Sequence, residues 1–189
     1  MKEFPVRKQV RLRNYDYSQA GCYFVTICVK DKHELLGTLV GATVLGRPYV
    51  ELSELGYSVD SAIDFYNANS IAIIDKYVIM PNHIHMIIVI RPTAGDRGRE
   101  TGDRGRSPLQ HIVRNLKSYV TKTVGFSPWQ RSFHDHIIRN DEDYLRIWQY
   151  IDENPARWFE DVYYVKPRAS EDGRRATEDG RPYSDDFQK

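Results

Sequence analysis

Residues 77–90, YVIMPNHIHMIIVI, decide how the rest of the chain is read. Two apolar runs flank Pro81-Asn82, a pair suited to a turn because proline presets φ and asparagine tolerates tight backbone geometry. Extended to SIAIIDKYVIM on one side and HIHMIIVIR on the other, the runs are too apolar for either face to be solvated along its length. They predict two strands of a covered sheet. Side chains at i and i+2 of a strand share a face, so His83 and His85 project together at the head of the second strand. Two co-facial imidazoles suggest a ligand.

Working outward, residues 22–30, CYFVTICVK, predict another strand, and 35–52, LLGTLVGATVLGRPYVEL, two short strands around a glycine-containing turn. A helix near 51–68 follows from Leu52, Leu55, Val59, Ile63 and Tyr66 at helical spacing. Residues 108–125, PLQHIVRNLKSYVTKTVG, predict a second amphipathic helix, with Leu109, Ile112, Val113, Leu116 and Val120 inward and Arg114, Lys117 and Lys122 at outer or rim positions. Residues 128–140, PWQRSFHDHIIRN, read as extended. A third helix begins in DEDYLRIWQYIDE, where an acidic first turn suits the helix N-terminus, and Asn154-Pro155 ends it near Glu153. The order is that of an α+β protein with helices on one face of an antiparallel sheet.

The chain has 189 residues, 41% hydrophobic and 28% charged, with a formal net charge of +1, ordinary values for a globular protein with a sizeable core. A basic arm, Lys2, Arg7, Lys8, Arg11 and Arg13 against Glu3, can meet an anionic partner. Cys22 and Cys28 lie on one face of one strand, too far apart for a disulfide, and read as core residues in a reducing compartment. With neither a signal peptide nor an apolar stretch of about 18 residues, a cytoplasmic protein without a membrane partner is expected. GDRGR occurs twice within 92–107, and SEDGRRATEDGRP fills the C-terminal tail. These low-complexity segments are expected to be a flexible insertion (92–107) and a disordered tail (166–189) around one domain, 1–165.

On the third helix, with Tyr144 set at 0° and about 100° per residue, Ile147 falls at about 300°, Trp148 at about 40° and Ile151 at about 340°. The apolar stripe is then centred on Tyr144, a core residue by default. Tyr150 at about 240° and Asn154 at about 280° sit together at its edge, where polar groups can face a site.

Met80-Pro81-Asn82-His83-Ile84-His85, a basic helix after it, and Tyr150-Ile151-Asp152-Glu153-Asn154-Pro155 resemble the IS200-like, single-tyrosine, His-hydrophobic-His (HUH) transposases. The opening RLRNYDYSQAGCYFVTICVKDKHELLG and the segment WQRSFHDHIIRN are similar to the REP-associated tyrosine transposases within that superfamily. The likeness runs from about Val10 to Trp158. It implies a ferredoxin-like sheet, a C-terminal helix carrying the nucleophile Tyr150, and a divalent cation, Mg²⁺ or Mn²⁺, held by His83, His85 and Asn154. Insertion-sequence relatives often carry glutamine where Asn154 stands; asparagine offers the same carbonyl on a shorter stem.

The implied reaction is nicking and rejoining of single-stranded or hairpin DNA of the REP type through a 5′-phosphotyrosine. Such chemistry needs charge neutralisation at the phosphate and an oriented nucleophile, and an imidazole and oxygen site suits Mg²⁺ or Mn²⁺. A tyrosine hydroxyl titrating near 10 must lose its proton as it attacks. Candidate DNA contacts are Arg13, Arg114, Lys117, Lys122 and Arg139; Tyr15, Tyr17 and Tyr23 either stack on bases or pack in the core. His134 and His136 either border the DNA path or join the first pair around a zinc ion. Two rivals stay open: a non-catalytic binder of DNA repeats and a metal-dependent nuclease using water. So does the choice between monomer and homodimer.

Overall fold

The computed structural model describes residues 20–41, 47–70, 72–91 and 107–166. The basic arm with Arg13, the insertion but for Ser107, and the tail but for Lys166 lie outside them.

The strands are β1 (Gly21–Cys28), β2 (Gly37–Val40), β3 (Tyr49–Leu52), β4 (Ala72–Met80), β5 (His83–Ile90) and β6 (His134–Ile138). The helices are α1 (Glu54–Asn69), α2 (Pro108–Val124) and α3 (Asp141–Glu153), the last running into a 3-10 segment, Asn154–Glu160. A four-stranded sheet has the order β4-β5-β1-β6 with every neighbouring pair antiparallel. Setting aside the small β2-β3 sheet, the order β1-α1-β4-β5-α2-β6 with this strand arrangement is ferredoxin-like, as expected.

Register assigns the two sheet faces. Pro81 and Asn82 join β4 to β5 so that Met80 pairs with His83 and Val78 with His85. Ile84, Met86, Ile88 and Ile90 then face one way, where with Tyr23, Val25 and Ile27 of β1 they bury against Val59 and Ile63 of α1 and Leu109, Ile112 and Leu116 of α2. Each such side chain contributes about 1.5–3 kcal/mol on burial. His83, His85 and Ile87 face the other way, where Ile147 and Ile151 of α3 pack on Ile87 and Ile138, with Phe24 at the margin. The sheet therefore lies between α1 and α2 on one side and α3 on the other.

Several boundaries depart from the sequence reading. The first helix starts at Glu54, because Ser53 caps it, its Oγ accepting from Gly56 N at 3.1 Å, while Leu52 ends β3. Gly56 has a packing reason: a Cβ there would come within 2.0 Å of the Leu36 carbonyl oxygen. The first strand stops at Cys28, and Val29 makes an isolated bridge to Trp129. The extended segment 128–140 narrows to β6. Among the described residues no helix is long and apolar enough to cross a membrane.

One irregularity matters below. The β4-β5 register slips between Ile74, opposite Ile88, and Lys76, opposite Ile87, so Asp75 is the extra residue of a β-bulge.

Candidate active site

The sheet face beneath α3 carries His83 and His85 fully buried, with Asn82 and Asn154. Their orientation is set from behind. Asn82 Nδ2 donates to the carbonyls of Lys32 (3.2 Å) and Tyr163 (2.9 Å), which leaves Oδ1 to accept from His83 Nδ1 at 2.9 Å. His83 Nδ1 is thus the protonated nitrogen and Nε2 bears a lone pair. That Nε2 lies 2.9 Å from His85 Nε2, whose own Nδ1 is 2.8 Å from Thr26 Oγ1. Thr26 is His85's cross-strand partner on β1. Burial, with a smaller push from Lys32, lowers His83 to about 3; burial, then the neighbouring His83, lowers His85 well below its ordinary value. Both rings are neutral at physiological pH, the form in which imidazole binds a metal.

α3 brings Tyr150 to the pair. Its hydroxyl is 3.2 Å from His85 Nε2, and its ring meets Phe24 edge-on with centroids 5.9 Å apart. The apolar stripe is not centred on Tyr144: Ile147 and Ile151 are buried, whereas Trp148 is 39% exposed. Tyr144 is only half-buried, its hydroxyl donating to Asp75. The helix is rolled so that Asn154 lies inside rather than at the edge, 2% exposed. Its Nδ2 donates to Asp161 Oδ2 at 3.1 Å, while its buried Oδ1 accepts no hydrogen bond among the described residues.

Asp161 is the site residue that the sequence reading missed. The segment after Pro155 returns over the histidines, so that Asp161 accepts from Tyr163 N (2.6 Å) and from Tyr150 Oη (3.5 Å), and the Tyr163 ring lies 4.5 Å from that of His83. The ligand atoms of His83, His85 and Asp161 fall within 4.8 Å of one another, a group able to hold a divalent cation. The orphaned Asn154 Oδ1 fits the same use, since a buried carbonyl without a donor is costly unless a cation takes that place. Burial first, then the charge of Asp161, pushes Tyr150 up to about 12.

The other predicted residues are dispersed. Arg114 and Lys122 are exposed on α2, on the far side of the sheet from Tyr150. Lys117 turns its Nζ to the carbonyls of Gln130 and Ser132, both at 2.9 Å. Arg139 is exposed just after β6. His134 and His136 share the sheet face of Thr26 and Phe24, with which they pair, but His136 Nε2 bonds Asp143 Oδ2 at 2.8 Å and neither joins the first pair in a four-histidine group. Tyr23 is fully buried in the core and unavailable for stacking; Arg13, Tyr15 and Tyr17 lie outside the described residues. A solvent-open groove of about 700 Å³ runs beside Tyr150, lined by Phe24, His136, Arg146, Gln149, Asn154 and Arg157.

No protein-family model matches the chain. It is 34% identical over 177 residues to an uncharacterized protein of Haemophilus influenzae, covering 84% of this chain and 93% of that one. A second Haemophilus influenzae protein, inferred to be a REP-associated tyrosine transposase, is 22% identical over 151 residues, 77% of each chain. Among solved structures, a REP-associated tyrosine transposase bound to a REP hairpin superposes with a TM-score of 0.55 at 23% identity, covering 78% of this chain and 73% of that one. This likeness is one of fold.

Proposed function

We propose that the chain is a transposase of the IS200-like, single-tyrosine HUH kind, and that it nicks and rejoins single-stranded DNA at hairpins of the REP type, a reading supported by its likeness to REP-associated tyrosine transposases. The observation that carries the reading is the contact of the Tyr150 hydroxyl, 3.2 Å from His85 Nε2, with His83 Nε2 a further 2.9 Å on and an open groove alongside.

In this reading His83, His85, Asp161 and Asn154 would hold Mg²⁺ or Mn²⁺. When bound, such a cation supplies charge neutralisation at the scissile phosphate. The protein's own groups do the rest. Asn82 and Thr26 fix the imidazoles from their Nδ1 sides, and α3 holds Tyr150 beside them. Asp161 opposes ionisation of Tyr150 while it faces the phenol; once its charge is compensated, the Tyr150 proton is easier to remove. Tyr150 Oη attacks phosphorus, the bond from phosphorus to the 3′-oxygen breaks, and the proton lost by tyrosine is balanced by one gained at the 3′-oxygen. The product is a 5′-phosphotyrosine with a free 3′-hydroxyl. Attack by another strand's 3′-hydroxyl reverses the step and restores Tyr150, so joining needs no nucleoside triphosphate.

The test is incubation of the full chain with labelled single-stranded hairpin DNA and Mn²⁺, followed by a denaturing gel. A protein-linked band is expected from the wild type and from Tyr144→Phe, and none from Tyr150→Phe, which should still bind the oligonucleotide. Cleavage by Tyr150→Phe would establish water as the nucleophile, and binding without cleavage by the wild type would leave a non-catalytic binder.

A further inference from the structure

The bulge in β4 lies on the side of α3 away from Tyr150. In unbroken alternation Asp75 would face α3 and Lys76 the opposite core; the extra residue lets Lys76 lie opposite Ile87 and both side chains reach α3. The contacts form one ridge of the helix at i, i+4 and i+8, all on one edge. Tyr144 Oη donates to Asp75. Lys76 Nζ stands over the Trp148 ring, 3.9 Å from its centroid, and donates to Asp152 Oδ1 at 2.7 Å. Arg47, just before β3, donates to Asp152 Oδ2 at 2.8 Å. The buried stripe of Ile147 and Ile151 holds the helix down, but apolar contact is non-directional and resists rolling weakly. Directional contacts along one edge fix the roll.

We propose that Asp75 and Lys76, presented by the bulge, are positioning residues that clamp the rotation of α3 and so hold Tyr150 against His85. This rests on reading Tyr150 as the nucleophile. A roll of about 20° would carry a hydroxyl lying about 8 Å from the helix axis through about 3 Å, and misplacement of about 1 Å can cost about a hundredfold in rate. The clamp touches neither the groove nor His83, so its loss should affect the chemical step and spare binding.

The experiment compares full-length wild type, Lys76→Met and Lys76→Arg. Methionine keeps an unbranched stem against Trp148 but has no charge; arginine restores the charge. Three readouts are taken: the first-order rate of covalent adduct formation at saturating hairpin DNA, affinity for that DNA in a Tyr150→Phe background, and amide hydrogen exchange along α3. Lys76→Met should slow adduct formation by about tenfold or more, leave affinity within about twofold, and speed exchange in α3 while β1 and β5 stay protected. Lys76→Arg should recover most of the rate. Wild-type rate and exchange in Lys76→Met would overturn the clamp. So would faster exchange throughout the sheet with a parallel loss of affinity, which would mark a general packing defect. If the wild type forms no adduct, the nucleophile reading fails by itself, and the clamp is then decided by whether α3 exchange changes in Lys76→Met.

Discussion

At His85 a single hydroxyl sets the chemistry of the ring. Thr26 Oγ1 is the partner of Nδ1 at 2.8 Å, in a site where Thr26 itself is 3% exposed. When Nε2 binds a cation, Nδ1 must carry the proton, and a hydroxyl oxygen can accept it where a methyl group cannot. Thr26→Val should therefore lower Mn²⁺ affinity by about tenfold, read by titration calorimetry or by loss of the free-ion electron paramagnetic signal, whereas Thr26→Ser should stay near wild type. Equal affinity in the valine variant would show that packing alone orients His85. At Asn154 the buried Oδ1 without a donor makes the complementary case. If Asn154 is a ligand, Asn154→Ala should weaken the same titration; its stability cost should stay at about 1.5–3 kcal/mol, since the change loses the hydrogen bond to Asp161 but also removes an unsatisfied acceptor.

At the scale of elements, the roll of α3 shows what could and could not be read beforehand. The strand pair around Pro81-Asn82, the co-facial histidines and the end of the helix at Glu153 follow from local rules of alternation, turn chemistry and proline geometry. The facing of α3 does not, because a 13-residue helix with Tyr144, Ile147, Trp148 and Ile151 has two reasonable stripe centres. Lys76 favours one of them by taking Trp148 as a cation partner at the rim. Asp161 was beyond reach for a similar reason: past Pro155 the 3-10 segment keeps no α-helical phase that would carry a projection to the histidines. The helical spacing of Leu52 draws the start of the first helix too early, because Leu52 belongs to β3 and Ser53 caps α1. Gly56 gives a direct check on this junction. Gly56→Ala places a methyl group against the Leu36 carbonyl, and despite alanine's better helix propensity it should destabilise by about 1–3 kcal/mol, measured by urea unfolding. A neutral or stabilising result would mean that the β2 end and α1 can separate at little cost.

At the scale of the whole molecule, the sheet divides two sets of charges. α2 packs its Leu109, Ile112 and Leu116 on the face opposite His83, so Arg114 and Lys122 point away from Tyr150, while Lys117 is drawn beneath the loop that leads to β6. Burial, opposed in part by Cys28, lowers the Lys117 ammonium to about 8. Its folded value is then below the unfolded one of about 10.4, so between those pH values the unfolded chain binds more protons and stability rises with pH; below 8 the contribution is constant and unfavourable. Urea midpoints of wild type and Lys117→Met, followed from pH 7 to pH 10, should show the wild type gaining on the variant only above pH 8. A constant difference would mean that the two carbonyl contacts fully compensate burial of the charge. The exposed pair makes a separate prediction about DNA. If phosphates reach α2 at all, they do so from the side of the sheet away from Tyr150, and contacts there supply affinity with steep salt dependence. The double variant Arg114→Gln/Lys122→Gln should thus leave the first-order adduct rate at saturating hairpin unchanged, and any effect should appear as weaker binding with a shallower salt slope. A fall in the saturated rate would require the strand to be guided around the edge of the sheet into the groove beside Tyr150, with both layers acting on the chemical step.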